Sequence, residues 1–474
     1  MDIRKKRLFF INKNFAMIWI GGTIARLSEA LLLSGFGYWI LSSIAKDPTS
    51  GAALIRGITM VGFVALFLLG PIAGVFVDRW TNPKRVILVT TLLRAGCALV
   101  PIAIAFLLAS HRTPAMASIT LATIYVATFL ISTLTHFAIP ASYILFADNV
   151  KEEDYSYANG VLLTTSFLAL MIGAPIGLLT YSFVGLQGVL LLDAVLYIVS
   201  FVATTYISFD PAEYPRQAPR TGLFHDFKEG IAFCFKNSHL AILLLTLALV
   251  NIWNGAETVL GPAFVTQNLH MAYTPSPIQA PEGSYDALGL TVGAAFALGS
   301  LLFGLISRRL GEKRIFAYSL VLMGIFALVL SRTSLVIPGF ALIFVISLLT
   351  MGVNVTAVPV YLWVTPRHML GRVRAIVDFT TNIAPLVVGG LSLWLFNGAL
   401  KGFHGQVMGI TFTSIDTIFI VAAVICLVGG IIIVRRFATD SKAMSTAINQ
   451  GAPADEPEMA NAARLQEPTM SGRV

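Results

Sequence analysis

Apolar residues along this chain fall into long continuous blocks instead of alternating with polar ones. A helix needs about 20 apolar residues to cross a bilayer. Twelve blocks reach that scale. The first six are Phe15–Ser42, Gly57–Val77, Val86–Ala109, Ser118–Ala147, Asn159–Phe183 and Gly188–Ile207. The second six are Leu240–Val265, Leu288–Ile306, Phe316–Leu335, Gly339–Val364, Val373–Phe396 and Ile415–Val434. Pro, Gly and charge clusters such as Asp78-Arg79, Arg308-Arg309 and Arg435-Arg436 separate them. The pattern predicts an all-α membrane protein with twelve transmembrane helices in two six-helix bundles. The bundles cover residues 1–208 and 240–437. Between them, residues 209–239 read as a linker whose stretch Asp226–Asn237 forms an amphipathic helix on the membrane surface. Residues 438–474, rich in Ala, Pro, Glu and Ser, read as a disordered tail.

Composition agrees. Of 474 residues, 56% are hydrophobic and only 12% charged, with a mean hydropathy of +0.80. A soluble chain carries about 25% charged residues, so a water-facing enzyme surface could not be covered. The net charge of +8 raises nucleic acid as a partner, but the basic residues do not gather on one exposed face. They sort by side of the membrane. Short loops on the side of the termini hold fifteen Lys or Arg, and those on the other side hold five. Fifteen against five puts both termini in the cytoplasm of a multi-pass inner (plasma) membrane protein. Arg4, Lys5, Lys6 and Arg7 resemble the start of a signal peptide, but the apolar stretch that follows is too long and lacks a small-residue cleavage site. Cys97, Cys234 and Cys426 are too scattered for a disulfide framework or a metal spacing.

The two sets of six blocks also repeat a motif. Gly74-x-x-x-Asp78-Arg79 ends the second block and leads to Lys84-Arg85. Gly304-x-x-x-Arg308-Arg309 ends the eighth and leads to Lys313-Arg314, with the glycines 230 residues apart. Parallel repeats of this kind describe transporters whose site lies between the halves at mid-membrane. The Gly74–Arg85 loop resembles the signature of the major facilitator superfamily, and the likeness covers about residues 10–437. Thr81 stands where that pattern has Gly, and Arg308 replaces the acid in the second copy. A closer resemblance is to the drug:proton antiporter branch that includes macrolide-efflux and enterobactin-export proteins. It is carried by Asn14-Phe15-x-x-x-Trp19-x-Gly21, Leu93-Arg94-Ala95, Pro140-Ala141, Glu152-Glu153-x-x-x-x-Ala158-Asn159, Leu192-Asp193-Ala194 and Leu370-Gly371-Arg372-Val373. The resemblance implies that spans one, four, seven and ten line the cavity. It also implies that the loop motif contacts span eleven and locks the inner gate. With Arg308 in place of the acid, any such lock is expected in the first half only. Gly173-Ala174-Pro175-Ile176-Gly177 in span five resembles the glycine–proline motif of the superfamily's antiporters, and helix packing alone also accounts for it.

Charges inside spans are the informative ones, because each costs at least about 2.5–3.5 kcal/mol to insert. Arg26 and Glu29 fall in span one, Arg94 in three, His136 in four, Asp193 in six, Glu257 in seven and Asp378 in eleven. Glu29 lies midway along its span, where a carboxyl in a partly wet cavity can bind and release a proton near neutral pH. Arg26, three residues earlier on the same face, can instead neutralise it. Asn251, Asn254, Glu257 and Thr258 form a polar stripe on span seven, making Glu257 a second proton or cation candidate. Asp378 reads as an ion-pair partner of Arg374 or of the loop motif. Arg94 and Asp193 read as structural partners on peripheral helices. His136 is either a packing residue or a proton relay.

These features point to a secondary active exporter that moves a small amphiphilic molecule against protons by alternating access. The partners are that substrate, protons and the lipid bilayer, the proton is the only coupling agent, and a monomer is expected. Importers and lipid flippases share the fold. A non-transporting sensor stays open. An ATP-driven pump lacks its phosphate-binding loop, and an enzyme would need a catalytic cluster that a single in-span histidine does not supply.

Overall fold

The computed structural model describes residues 11–44, 48–80, 82–107, 114–209, 222–269, 283–407 and 410–449. The basic run Arg4–Arg7, the first part of the linker and residues 450–474 lie outside them. The first half consists of α1 (Lys13–Ser43), α2 (Pro48–Arg79), α3 (Pro83–Leu107), α4 (Pro114–Asn149) and α5 (Tyr155–Thr205). A linker helix, α6 (Leu223–Lys236), follows. The second half holds α7 (Ser238–Gln267), α8 (Gly283–Leu310), α9 (Glu312–Leu330), α10 (Val336–Val364), α11 (Leu370–Asn397) and α12 (Ser414–Asn449).

Among the described residues, ten helical stretches are long and apolar enough to cross a membrane, against twelve expected. One of the ten, Glu152–Thr205, runs for 54 residues and contains both expected spans five and six. They join at Gly185, whose φ of +73° only glycine adopts readily. Packing on α1 shows the chain reversing there. Thr165, Gly173 and Gly177 meet Trp19, Ala30 and Ser34 in ascending order. Val189, Asp193 and Ser200 then meet Gly35, Ser28 and Gly21 in descending order. Expected span three is α3, which carries Lys84, Arg85 and Arg94 and is not among the ten.

Two further features differ from expectation. Helix α12 runs on to Asn449, so residues 438–449 are helical and not a disordered tail. A helix already nucleated in the preceding span propagates easily through Ala, Lys and Met. Between α11 and α12 a small hairpin pairs β1 (His404–Val407) with β2 (Ile410–Thr413), which the apolar-block pattern did not reveal.

Large apolar side chains such as Leu92, Ile198, Trp394 and Ile432 face outward around the molecule. That is the surface a lipid solvent calls for. The halves meet along two helix pairs, α2 with α11 and α5 with α8. Both pairs are close because glycines face each other's backbone. A Cβ at Gly74 would strike the Gly371 carbonyl, and one at Gly160 would lie 2.5 Å from the Ser300 carbonyl oxygen.

Candidate functional site

Two cavities meet at mid-depth in the first half. One, of about 430 Å³, lies toward the end of the bundle opposite the termini and is lined by apolar groups such as Leu33, Phe36, Phe63 and Leu66. The other, of about 470 Å³, lies toward the terminus end and is lined by Arg26, Arg94, Tyr143 and Arg374. Glu29, Thr135 and Asn382 line both.

Glu29 is the hub. Arg26 donates to its Oε2 at 2.8 Å, the Thr135 hydroxyl donates to its Oε1 at 3.1 Å, and Arg94 Nη1 stands 3.7 Å from Oε1. Arg94 therefore reaches inward from α3 to the cavity acid. It does not pair with Asp193, as its peripheral helix suggested. Its guanidinium also lies over the Tyr197 ring at 5.0 Å and contacts Thr91 and Thr135. Asp193 is fully buried and takes the Ser28 hydroxyl.

Asp378 does not join the loop motif. It sits two turns into α11, with Arg374 Nη2 at 3.6 Å and His136 Nδ1 at 3.5 Å. The second contact crosses from α11 to α4 and so ties one half to the other beside the cavities. It is an ion pair only when His136 carries a proton. Arg374 also stacks on the Tyr143 ring of α4 at 4.0 Å.

Glu257, Asn251 and Asn254 line neither cavity. Glu257 is buried against its own helix, accepting from Trp253 Nε1 at 3.0 Å. Asn251 donates to the Leu247 carbonyl at 2.7 Å and accepts from Asn254 at 3.4 Å. All of these contacts are made inside α7, and the second carboxylate oxygen of Glu257 is buried without a hydrogen-bond partner among the described residues. Gly173 and Gly177, flanking Pro175, lie against the Leu27–Ser34 turns of α1, where any Cβ would collide with backbone. That motif accounts for the closeness of α1 and α5.

The loop motif forms the closure at the terminus end. Asp78 Oδ1 accepts the Gly371 N–H at 2.6 Å, and Oδ2 accepts the Arg372 N–H at 2.8 Å. These are first-turn amides of α11, which have no partner inside a helix and sit at its positive end. Arg79 binds Asp226 of α6 through Nε at 3.0 Å and Nη2 at 2.6 Å. Arg372 reaches Asp226 at 3.5 Å and Glu229 at 2.7 Å. The linker helix thus clips α2 to α11. Lys84 donates to the Thr205 and Ile207 carbonyls at the end of α5, and Asn82 caps α3 at the Arg85 amide. Arg85 itself makes no side-chain bond described here.

The second half carries its own counterpart, correcting the expectation of a one-sided lock. Arg308, at the end of α8, pairs with Asp154 at the start of α5. Glu312 accepts the Ser156 hydroxyl at 3.0 Å. The acid has moved to the partner helix and the base has taken its place, so the contact survives with reversed charge. Asp148 and Arg367, 3.6 Å apart, add a third tie between halves at this end. The polar ties described at the other end, such as Asn268 and Arg332 to Asp416, join elements of one half.

Sequence reasoning missed Asp226, Glu229, Asp154 and Thr135. Asp226 and Glu229 stand three apart on the expected linker helix, the one signal that could have singled them out. Thr135 carried no signal distinguishing it from other in-span threonines.

Comparison with known proteins follows the same lines. The family model of the Major Facilitator Superfamily matches residues 18–387. The chain is 24% identical over 401 residues to the MFS-type transporter YkuC of Bacillus subtilis (strain 168), covering 82% of this chain and 86% of that one. It is 23% identical over 344 residues to macrolide efflux protein A of Streptococcus pyogenes, covering 72% and 78%. Its fold is similar to a crystal structure of a bacterial homologue of the iron transporter ferroportin in an outward-facing state. The TM-score is 0.67 at 15% identity, over 89% of this chain and 98% of that one.

Proposed function

The chain belongs to the Major Facilitator Superfamily and is a multi-pass membrane transporter, not an enzyme; we propose that it exports a small amphiphilic molecule in exchange for protons by alternating access. The observation that carries this reading is a pair of mid-depth cavities joined at Glu29, closed at the terminus end by ties between the halves. The excess of Lys and Arg on the terminus side supports a cytoplasmic assignment for that end, which makes the closed end the inner one in this reading. Export as the direction is supported by the macrolide efflux relative.

Asp378 is the assigned proton group. Glu29 is clamped by two guanidiniums and a hydroxyl, which suits an anchor more than a proton carrier. Asp378 holds His136 across the two halves. With His136 protonated, a proton arriving from outside on Asp378 cancels the charge that holds His136 and Arg374, and frees α4 from α11. The empty carrier then opens inward, releases the proton and takes up substrate. Reclosing restores the contact. The test is proton release in reconstituted vesicles carrying an imposed pH gradient, with erythromycin and amphiphilic dyes as trial substrates. Wild type is expected to release protons when a substrate is added, and Asp378→Asn to move substrate without proton release. Unchanged proton coupling in that variant would remove Asp378 from the role.

A further inference from the structure

The terminus-side cavity is unusual in the charged groups of its wall. Three arginines, Arg26, Arg94 and Arg374, and one carboxylate, Glu29, belong to its lining. Two further acids stand behind the wall, so the arginines are matched in number and the wall carries no net charge of its own. Asp378 is engaged with Arg374 and His136, and Asp193 is buried under the Ser28 hydroxyl.

The arginines differ in what they have left to give. Arg94 is nearly sealed, with a side chain 4% exposed, and is spent on Glu29, Tyr197 and three threonines. Arg26 is 40% exposed, and among the described residues its contact is to Glu29 through one nitrogen. A guanidinium has five N–H donors, so most of its donors are left for a ligand in the cavity that Arg26 lines. Arg374 makes a long contact to Asp378 and lies with one face on the Tyr143 ring, while its buried Nε has no hydrogen-bond partner. Arg26 stands on α1 and Arg374 on α11, so each half presents one incompletely used guanidinium to the same space.

A buried cation without a full set of partners is costly. A planar fork fits carboxylate or phosphate oxygens in pairs. Next to it, across Glu29 and Thr135, lies the apolar cavity lined by Leu33, Phe36, Phe63 and Leu66. We infer that the substrate is an anionic amphiphile, its carboxylate, sulfonate or phosphate held between Arg26 and Arg374 and its apolar body in the adjoining cavity. This rests on the transporter reading above. A cationic drug would find one carboxylate on the wall, Glu29, already bound by Arg26, Thr135 and Arg94. An anion shared by α1 and α11 also links the halves while it is bound.

A matched pair of dyes tests the inference. Anilinonaphthalene sulfonate and N-phenylnaphthylamine share one skeleton and differ in the sulfonate. Each is titrated by fluorescence into protein in nanodiscs of zwitterionic lipid, with empty nanodiscs subtracted. The sulfonate is expected to bind at least about tenfold more tightly than the neutral dye, the scale of one charged hydrogen-bond contact. Arg26→Gln should remove that preference and Arg26→Lys keep part of it. Glu29→Gln, which deletes the one acid on the wall, should strengthen sulfonate binding several-fold. Opposite signs for the Arg26 and Glu29 variants separate ligand contact from damage to the fold, which would weaken both. Equal binding of the two dyes, or a sulfonate preference that survives Arg26→Gln, overturns the inference.

Competition identifies the source of the anion. Displacement by decanoate marks a soluble organic acid, displacement by lysophosphatidylglycerol marks a lipid headgroup, and displacement by neither rejects the site. Flux measured with the same dyes keeps the two claims apart. Transport of the neutral dye without preference for the sulfonate leaves the carrier standing and removes the anion site. Arg26-dependent sulfonate binding without flux does the reverse.

Discussion

Met369 precedes α11 with no side-chain oxygen to offer, so the first amides of that helix depend on Asp78 from the other half of the chain. A hydrogen bond to a charged group contributes about 1.5–3 kcal/mol, and here two converge on one buried carboxylate. Asp78→Asn keeps the size and removes the charge. Its amide can accept one of the two bonds and turns its own N–H groups toward the other amide. The expected outcome is a loss of about 3 kcal/mol from the closed inner end, roughly a hundredfold in the opening equilibrium. Amide hydrogen exchange over residues 370–376 reads this directly: protection should fall there and stay unchanged in α7. Uniform exchange across α11 in both proteins would show that Asp78 holds nothing.

At the scale of elements, the two halves solve one problem with opposite charges. Helices α2 and α11 close through an acid on the first, while α5 and α8 close through a base on the second. Arg308→Asp should therefore weaken inner closure, Asp154→Arg should do the same, and the double exchange should restore it. Arg308 is 45% exposed, so a coupling of about 0.5–1 kcal/mol is expected from a double-mutant cycle on thermal stability or transport rate. Strict additivity of the two single changes would mean that the pair forms no tie. This contact shows what the sequence could and could not yield. The glycines 230 residues apart revealed the repeat and the place of the motif. They could not reveal that Asp154 answers Arg308, because the partner of a charge lies on a helix far away in the chain. The span pattern fared in the same way. Apolar length located α1, α2, α4 and α7 to α12, and the reversal at Gly185 follows from one backbone angle that a run of apolar residues conceals. Glu257 lines neither of the two cavities and takes Trp253 on its own helix, a difference that the spacing of a polar stripe does not reveal.

For the whole molecule, these local ties amount to a choice between two states. Closed at the terminus end, the chain keeps Asp78 on α11, Asp226 between Arg79 and Arg372, and Asp378 on His136, all at once. Opening inward breaks them together, so removing any one biases the same equilibrium. Thr59 reports it, since it lines the outer cavity and is exposed. The reporter Thr59→Cys is placed in a Cys97→Ala background, because Cys234 and Cys426 are already buried. A membrane-impermeant maleimide added to intact cells should label it readily. Labelling only after the cells are opened would reverse the assigned orientation. Asp78→Asn and Asp226→Ala should each slow the labelling several-fold by drawing molecules into the inward-open state. Acidifying the outside should slow it as well, if a proton on Asp378 releases α4 from α11. The Asp378→Asn variant, already without that charge, should label slowly and no longer respond to pH. A pH response that persists in Asp378→Asn but disappears in Glu29→Gln would move the proton site from the contact between the halves to the acid of the cavity.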